Sequence, residues 1–330
     1  HMGNIKFGAI LPHTLLYGGV KRFFELGQSL KKLGNEFIIF TPEGSVTQWS
    51  AKYDIKIERL ANINLIPLDV VFFTEKNFFE IVLNSNAKFK IFYHVREGDK
   101  VKHIIKNNEI ITFGCSSNIV KYDKFWYNIN AFPAFGGINL NIFKYKNLKS
   151  ENKNEVIILA YGRIAEKRKG TKYIIKACEK LHKKNYPIKL ILFDTPVNDK
   201  MSKAINNLKL GFPHEIILNY DVDKMNEVYY KADIFVSAEK RAGWANTVAE
   251  AMASGVPVIA TKSGTKDLVI NNFTGLIVKR NTRSIYNALK ELIFNYEKRN
   301  TLPQNARKHV EQFDWNNLAK KIIDWYNNQK

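Results

Sequence analysis

Short apolar runs alternate with amphipathic stretches along the whole chain. Runs such as Val156 to Tyr161 have the length and composition of strands that are buried on both faces of a sheet. Stretches such as Val20 to Leu33, which stops at Gly34, have the pattern of a helix with one apolar face. Strands that alternate with helices from end to end predict parallel sheets with crossover helices, an α/β fold.

The strands fall into two series. In the first half we predict strands at Asn4 to Leu11, Phe37 to Phe40, Val70 to Phe73, Lys90 to His94 and Ile110 to Gly114. In the second half we predict strands near Val156 to Tyr161, Lys189 to Asp194, Glu215 to Leu218, Ile234 to Ser237, Val256 to Ala260 and Gly275 to Val278. Helices dominate from Arg283 onward.

The chain is also long enough for two cores, since it has 330 residues of which 45% are hydrophobic. Asn147 to Asn154 is polar and lysine-rich and is the best candidate for a linker. We therefore predict a first domain at 1–148, a second at 149–312 and a final segment at 313–330. That segment contains a predicted helix, Trp315 to Asn328, with one apolar face.

The most informative segment is Ser237 to Ala260, which has the pattern of a strand end, a loop, a helix and a strand. Gly243 lets the loop backbone approach a ligand, and Asn246 is the predicted cap of the helix, which stops at Gly255. The amides at the start of a helix bind phosphate, and Glu250 is placed to accept hydrogen bonds from two vicinal hydroxyls. This segment predicts a phosphate-and-ribose site.

Five motifs together resemble the GT-B glycosyltransferases of family 4. Ser237 to Ala260 resembles the donor-nucleotide signature of the family, and Gly162 to Gly170 resembles its Gly-Arg…Lys-Gly element. Thr274 to Val278 resembles its Thr-Gly-Leu-Leu-Val strand, and Tyr17 to Val20 its N-terminal Gly-Gly loop. Gly137 to Phe143 resembles the segment that links its two domains.

The resemblance implies a GT-B fold, with two Rossmann-like domains that face a central cleft and a C-terminal helix that returns to the first domain. It implies transfer of a sugar, with retention of configuration, from a UDP- or GDP-sugar to a glycan or lipid-linked acceptor in the synthesis of cell-surface polysaccharide or glycoconjugates. The residues that match the donor site are Gly18, Gly19, Gly162, Gly243, Trp244, Ala245, Asn246, Thr247, Val248 and Glu250.

Arg163 and Lys169 are expected to stabilise the leaving diphosphate, because fixed cations lower the energy of that departing charge. Taken alone, the basic loop around them is more typical of a solvated surface, and its position upstream of the Glu250 motif at the spacing of the family favours the functional alternative. His94 ends an apolar strand, where the family places a histidine against the donor sugar, and the alternative is a structural histidine. Lys21 and Arg22 follow the Gly-Gly loop and are assigned to a solvent face.

One position departs from the family pattern. The usual motif is Glu-x7-Glu, and with Glu250 as the second acid the first position is Ala242. Glu239, three residues earlier, is the candidate to replace the missing acid. Trp244 has two alternatives, packing on the ligand or closing the loop over the core.

The charge of the chain is +20 and is spread along it, with 20 basic and 12 acidic residues in 1–150 and 31 and 19 in the remainder. Three explanations stay open: solvated lysines, attraction to an anionic sugar nucleotide, and attraction to an anionic membrane surface. No cofactor or metal is expected, since cations and helix amides can neutralise a diphosphate.

The two cysteines do not predict a disulfide framework, and no apolar run approaches the roughly 18 residues of a membrane span. The sequence thus favours a cytoplasmic location, peripheral to the inner membrane face if the charge serves that purpose. Two alternative function classes remain. One is a GT-B sugar-nucleotide epimerase or non-catalytic binder, and the other is a nucleic-acid-binding or nucleic-acid-modifying protein, which no recognised motif supports.

Overall fold

The computed structural model describes residues 4–147 and 154–329, which fold as two compact units. The first unit comprises His1–Gly137 and Phe313–Lys330, and the second comprises Ile138–Gln312. The first division therefore lies earlier in the chain than the predicted boundary at 148/149. Residues 148–153 of the predicted linker lie outside the described residues.

The first unit contains one sheet of seven parallel strands and four helices that precede the return of the chain. The strands are β1 (Lys6–Ile10), β2 (Glu36–Thr41), β3 (Lys56–Arg59), β4 (Val70–Phe73), β5 (Phe89–His94), β6 (Ile110–Gly114) and β7 (Phe132–Pro133). The helices are α1 (Gly18–Lys32), α2 (Phe79–Leu83), α3 (Lys102–Ile105) and α4 (Ser117–Tyr127). The strand order is β3-β2-β1-β4-β5-β6-β7, and all five predicted strands of this half are confirmed.

The second unit contains one sheet of six parallel strands. The strands are β8 (Val156–Tyr161), β9 (Ile188–Asp194), β10 (His214–Leu218), β11 (Ile234–Ser237), β12 (Val258–Ala260) and β13 (Leu276–Ile277). The helices are α5 (Thr171–Lys183), α6 (Asp199–Asn206), α7 (Asn226–Tyr229), α8 (Asn246–Ser254), α9 (Thr282–Phe294) and α10 (Tyr296–Val310). The strand order is β10-β9-β8-β11-β12-β13, so the predicted α/β class holds for both units.

In both sheets the direction in which successive strands are added reverses next to the first strand of the unit. The reversal lies between β1 and β4 in the first sheet and between β8 and β11 in the second. At such a switch point the loops leave neighbouring strands in opposite directions and open a crevice at the carboxyl ends of the strands, where ligands bind in open α/β sheets. The fold therefore directs attention to the loops after β8 and β11.

The last helix, α11 (Trp315–Asn327), belongs to the first unit, as predicted. Trp325 is 8% exposed, and its ring meets that of Phe113 edge-on with the centroids 5.1 Å apart. Contacts of this kind are favourable beyond the apolar area that they bury. The C-terminal segment thus completes the aromatic core of the first unit.

Arg22 lies inside the first unit, and its assignment to a solvent face is wrong. It is 3% exposed and donates from Nη1 to the hydroxyl of Tyr93 at 3.2 Å and from Nη2 to the carbonyl of Gly136. Its guanidinium carbon also lies 5.3 Å from the centre of the Trp315 ring. A buried guanidinium is tolerated when its donors are satisfied. Here the donors tie α1 to β5 and to Gly136, and the contact with the Trp315 ring ties α1 to the returning segment.

No helix in the described part of the chain is both long enough and apolar enough to cross a membrane.

Candidate functional site

The candidate site lies at the switch point of the second sheet, where two neighbouring parallel strands end. β8 and β11 pair in register from Ile158 with Ile234 to Ala160 with Val236. The loop 162–170 follows β8, and the loop 238–245 follows β11 and leads into α8. The two predicted donor-site motifs therefore leave the same edge of one sheet, side by side.

Gly170 allows the two loops to touch. Its φ is +68°, and a Cβ built on it would lie 2.2 Å from the carbonyl oxygen of Ala238. A side chain at this position would meet both a strained backbone and a backbone atom that cannot move aside. Beside this contact, the amide of Lys240 donates to the carbonyl of Arg168 at 2.9 Å.

Arg280 binds the same two loops from a third segment. Its Nε donates to the carbonyl of Ala238 at 2.7 Å, and its Nη2 donates to the carbonyl of Lys167 at 2.7 Å. One planar guanidinium thus fixes the spacing between the loops, since its donors have a rigid geometry.

The start of α8 has no side-chain cap. Ala245 occupies the capping position and Asn246 is the first helical residue, so the prediction that Asn246 caps the helix is wrong. The Ala245 amide donates to the carbonyl of Gly264 at 3.0 Å, which bends the chain into the helix one residue earlier than a cap at Asn246 requires. The cap residue therefore offers no side-chain acceptor to the first-turn amides, which include those of Thr247 and Val248. These amides lie at the positive end of the helix dipole.

At its other end α8 stops at Gly255, as predicted. The φ of Gly255 is +92°, which places the C-cap in the left-handed region.

Glu250 lies in the second turn of α8 and is held by a tyrosine from α7. The hydroxyl of Tyr229, which is fully buried, donates to Glu250 Oε1 at 3.0 Å. Burial, and then the charge of Glu250, raises the pKa of the Tyr229 hydroxyl well above its usual value. Tyr229 is therefore a permanent donor that fixes the direction of the Glu250 carboxylate.

Arg163 lies at the start of the loop 162–170, directly after β8, and its charge is compensated by a neighbouring carboxylate. Its side chain is 2% exposed, its Nη2 lies 3.0 Å from Asp194 Oδ1, and the Asp194 side chain is 1% exposed. Nη2 also donates to the carbonyl of Thr195 at 2.9 Å. The arrangement ties the end of β8 to the end of β9. The predicted contact of Arg163 with a diphosphate stays a prediction.

Lys169 lies nearer to solvent and pairs with the other predicted catalytic residue of this unit. Its Nζ lies 2.5 Å from Glu239 Oε1, and the two side chains are 17% and 14% exposed. Lys169 belongs to the short 3₁₀ turn Lys167–Lys169 that precedes α5. Glu239 therefore neither faces solvent alone nor pairs with its sequence neighbours Lys240 and Arg241.

The remaining residues of the loop 238–245 are largely buried, and Ala242 contacts the loop that follows β12. The amide of Ala242 donates to Ser263 Oγ at 2.7 Å, so this position, where the family has an acid, contributes a backbone contact. Gly243 is buried, and Trp244 is 7% exposed. The burial of Trp244 favours the second of its two alternatives, a ring that closes the loop over the core. Gly162 is buried at the end of β8, where its amide donates to the carbonyl of Phe193 at 2.8 Å.

Gly18, Gly19 and His94 belong to the first unit, whereas the other predicted site residues belong to the second. Gly18 and Gly19 are exposed and form the first turn of α1, where no side chain caps the helix. The helix thus begins two residues before the predicted start at Val20.

His94 is a buried histidine with a specific partner. Its Nδ1 lies 2.7 Å from Asp123 Oδ1, and the two side chains are 2% and 0% exposed. A carboxylate at this distance accepts a hydrogen bond from Nδ1 and holds the ring in one orientation. Among the described residues, neither His94 Nε2 nor Asp123 Oδ2 has a hydrogen-bond partner. Buried polar atoms of this kind are uncommon in structural positions.

The expectation that no metal is required stays a prediction. The sequence contains an Asp-x-Asp at Asp221 and Asp223, beside the 3₁₀ turn Val222–Lys224, where Asp221 Oδ1 accepts from the Asp223 amide at 3.0 Å. Within residues 4–147 and 154–329, no group of three or more histidine, cysteine or acidic side chains is placed to hold a metal ion.

Sequence reasoning missed four residues that hold the predicted ones in place: Asp123, Asp194, Tyr229 and Arg280. Asp194 has the clearest signal, because it ends an apolar strand as His94 does. Asp123, Tyr229 and Arg280 lie 29, 21 and 42 residues from the groups they bind, and nothing local marks them.

Comparison with known proteins places this site in a family. The sequence profile of the family described as Glycosyl transferases group 1 matches residues 141–309, which include both loops and α8. Among curated proteins, the chain is 30% identical over 216 residues to the capsular polysaccharide biosynthesis glycosyltransferase CapM of Staphylococcus aureus, covering 63% of this chain and 55% of CapM. It is 24% identical over 324 residues to the N,N'-diacetylbacillosaminyl-diphospho-undecaprenol alpha-1,3-N-acetylgalactosaminyltransferase of Campylobacter jejuni, covering 93% and 81%. Three relatives, CapM included, are matched over only 45 to 58% of their length, so the chain spans about half of each.

Solved structures share the fold at low sequence identity. Sucrose-phosphate synthase from Thermosynechococcus elongatus superimposes with a TM-score of 0.79 at 17% identity, covering 99% of both chains. The Anabaena protein HepE, solved in complex with UDP-glucose, superimposes with a TM-score of 0.75 at 12% identity, covering 98% of this chain and all of that one. The fold is therefore the GT-B arrangement of two Rossmann-like units. Since the family profile matches more than half of the 330 residues and includes the loops at the switch point, this protein belongs to the glycosyl transferases group 1 family.

Proposed function

We propose that this protein is a retaining glycosyltransferase that moves a sugar from a nucleoside diphosphate sugar to a hydroxyl of a glycan or lipid-linked acceptor. The observation that carries the proposal is the uncapped start of α8, with Glu250 one turn further along. The two features match the phosphate and the ribose of a nucleotide in chemistry, because an N-terminal turn binds anions and a carboxylate accepts hydrogen bonds from vicinal hydroxyls.

Nucleotide binding requires Glu250 to be held in one direction. Tyr229 donates to one of its oxygens, and that bond orients the carboxylate before any ligand arrives. A preorganised acceptor loses less freedom on binding than a mobile one, so affinity is gained without further contacts. Tyr229 is thus a positioning residue for the proposed ribose contact.

Lys169 is the residue that we assign to the leaving diphosphate. Its ion pair with Glu239 is partly exposed, so the ammonium can turn to a phosphate that enters the loop region. In the proposed reaction the bond between the anomeric carbon and the diphosphate oxygen breaks, and its electron pair leaves with the diphosphate. The acceptor oxygen bonds to the same face of the anomeric carbon, and its proton passes to a phosphate oxygen. Lys169 stabilises the negative charge that develops on the leaving group.

Glu239 has a proposed role in binding the donor sugar. It stands three residues before the position that the family pattern reserves for an acid, and when Lys169 turns to the diphosphate its carboxylate becomes an acceptor for a sugar hydroxyl. His94, whose ring is held in one orientation by Asp123, is proposed to contact the donor sugar. We further propose that the reaction proceeds without a bound metal, since Lys169 and the α8 amides supply the positive potential.

The relatives support the class of substrate. HepE was solved with UDP-glucose, CapM is named for capsular polysaccharide synthesis, and the Campylobacter enzyme is named for an acceptor with a diphospho-undecaprenol group. We accordingly propose a UDP- or GDP-sugar as donor, a lipid-linked or glycan acceptor as partner, and a location at the cytoplasmic membrane face. Nucleic acid is not a proposed partner.

Glu250→Gln tests the site. We expect it to weaken binding of the nucleoside diphosphate by about 1–3 kcal/mol, because a charged acceptor is replaced by a neutral one of the same size. Titration calorimetry gives the affinity, and Glu179→Gln on the exposed face of α5 is the matched control. An unchanged affinity for Glu250→Gln removes this carboxylate from the nucleotide site.

The ligand and the reaction class can be established in two steps. A thermal-shift screen of UDP- and GDP-sugars identifies the donor, since a ligand at about 100 times its dissociation constant adds roughly 2.7 kcal/mol of stability. The identified donor is then incubated with and without candidate acceptors. A transferase consumes it productively only with an acceptor, an epimerase converts it without one, and a pure binder does neither.

A further inference from the structure

The first unit carries an exposed surface that the proposed reaction does not use. Phe125 and Trp126, adjacent on α4, are 78% and 62% exposed, and their rings meet edge-on with the centroids 5.1 Å apart. Large aromatic side chains at such exposure are common singly, but two in contact form a patch. Adjacent aromatic rings in water are characteristic of surfaces that bind something apolar.

Lysines surround this aromatic pair. Lys121 is exposed on the same helix one turn before Phe125, and Lys124 is exposed immediately before Phe125. Lys102 and Lys106 are exposed on and just after α3. In the described part of the chain, none of these four lysines lies within ion-pair distance of a carboxylate. We call Lys102, Lys106, Lys121, Lys124, Phe125 and Trp126 the lysine–aromatic surface.

Two tyrosines join the two helices into one surface. Tyr122 contacts Trp126 with the ring centroids 6.2 Å apart and Tyr127 at 6.1 Å. Tyr127 in turn lines a concavity of about 600 Å³ together with residues of the α3 region, namely Asp99, Lys100, Lys102, His103 and Lys106. The concavity is lined by three lysines and one acid.

The acids near this surface do not cancel its charge. Asp99 is paired with Arg96 at 3.0 Å, and Asp123 is fully buried against His94. Glu97 and Glu109 are the other acids in 96–127, against six basic residues. The exposed positive charge is therefore concentrated beside the exposed rings.

We propose that the lysine–aromatic surface binds the anionic face of a phospholipid bilayer. Tryptophan and phenylalanine enter the boundary between headgroups and acyl chains, while lysines remain among the phosphates. A phosphate headgroup also matches the charge of the lysine-lined concavity. A protein partner would match both features only with a hydrophobic pocket surrounded by acidic side chains, which is a narrow requirement. A mixed anionic bilayer matches both features with its acyl chains and its headgroups.

This inference names the membrane surface that a lipid-linked acceptor implies, but it does not depend on the proposed reaction. The vesicles used to test it contain neither a sugar nucleotide nor an acceptor, so failure of the proposed activity leaves it standing. Conversely, if the protein is an active transferase but does not bind these vesicles, the proposed function stands and the proposed membrane-binding surface is wrong.

The experiment is sedimentation of the full chain with two kinds of vesicle. One is pure phosphatidylcholine, and the other contains about 30 mol% of phosphatidylglycerol, an anionic lipid that gives the vesicle a negative surface potential. We expect binding at least tenfold tighter to the anionic vesicles, since each lysine near an anionic surface raises the affinity roughly fivefold. We also expect binding to be lost as the salt concentration is raised, because salt screens the surface potential. Equal binding to both vesicles, or no binding to either, overturns the proposal.

Variants assign the binding to this surface. Phe125→Ser with Trp126→Ser and, separately, Lys121→Gln with Lys124→Gln are each expected to weaken anionic binding at least tenfold. Phe294→Ser, at another exposed phenylalanine, and Lys200→Gln with Lys203→Gln on α6 are the controls and are expected to bind as the unmodified protein does. Far-ultraviolet circular dichroism and thermal melting verify that each variant is folded. If the test pairs bind no more weakly than their controls, the surface is not the contact.

Fluorescence supplies a readout that does not depend on loss of binding. Trp126 is far more exposed than Trp244, Trp315 or Trp325, which are 5 to 8% exposed. Lipids brominated in the acyl chain are expected to quench the tryptophan emission of bound protein, and Trp126→Phe is expected to bind normally but lose most of that quenching. Quenching that survives in Trp126→Phe, or a self-associated form that the aromatic variants convert to monomer, overturns the assignment to a bilayer.

Discussion

Two cations on one loop differ sharply in their surroundings. Arg163 and Asp194 form a pair whose side chains are 2% and 1% exposed, whereas the side chains of Lys169 and Glu239 are 17% and 14% exposed. A buried pair cannot exchange its partner without leaving a bare charge in the interior, but a partly exposed pair can. The comparison separates a cation whose partner is fixed by burial from a cation whose partner can be exchanged.

The largest expected effect comes from breaking the buried pair. Asp194→Ala leaves the Arg163 guanidinium uncompensated and should lower the free energy of unfolding by about 3–5 kcal/mol, measured by urea denaturation. Replacing both residues with apolar ones, Arg163→Met and Asp194→Leu, should restore part of that loss. If Asp194→Ala were no less stable than the unmodified chain, the buried pair would not be what holds the end of β8 to the end of β9.

The next effect is on catalysis. Lys169→Met should reduce kcat by about 10²–10³-fold, the usual consequence of removing one group that stabilises a leaving charge. Its stability should change by at most about 1 kcal/mol, because the lost pair is partly solvated. Lys167→Met, which removes the same charge from an exposed position two residues away, is the control. An equal loss in the control would show that only the overall potential matters.

Gly170→Ala tests whether the two loops must touch. The added methyl group meets a positive φ and the carbonyl of Ala238, so we expect a loss of about 1–3 kcal/mol in the free energy of unfolding. Gly211→Ala, where a Cβ meets no atom within 4 Å, is the control. Thermal denaturation of both variants compares them. A Gly170→Ala protein as stable as the control would mean that the loops can separate freely.

The smallest expected effect concerns Glu239, the candidate to replace the acid that is missing at Ala242. Glu239→Ala should reduce sugar transfer by about tenfold, the value of roughly one charged hydrogen bond, while nucleotide affinity persists. Steady-state kinetics and calorimetry measure the two quantities on the same preparation. Transfer at the unmodified rate would end the hypothesis that Glu239 replaces the acid absent at Ala242.

The sequence predicted the elements that burial alone determines. β8 was predicted to the residue, because an unbroken apolar run has one stable environment in a parallel sheet. β3 was missed, because Lys56–Arg59 lies at the edge of the sheet and its charged residues give no apolar run. β7, with two residues, is too short to leave a pattern.

The candidate site was predicted in its backbone and missed in its pairings. Gly255 was predicted to stop α8, since a left-handed position selects glycine locally, whereas Gly170 was included only through the resemblance to the family. The Asn246 cap was wrong because capping preference is weak against the bond from Ala245 to Gly264. The partners of Arg163 and His94 lie 31 and 29 residues away, and only the folded sheet brings them together.

The return of α11 to the first unit has a consequence for synthesis. The second unit ends at Gln312, so all of its strands have left the ribosome before α11 is complete. The first unit, although it begins the chain, must wait for Trp315 and Trp325 to cover Arg22 and Phe113. Domains usually mature in the order in which they are translated. Here we expect the reverse order, in which the earlier-made sheet stays incompletely covered while the chain is still growing.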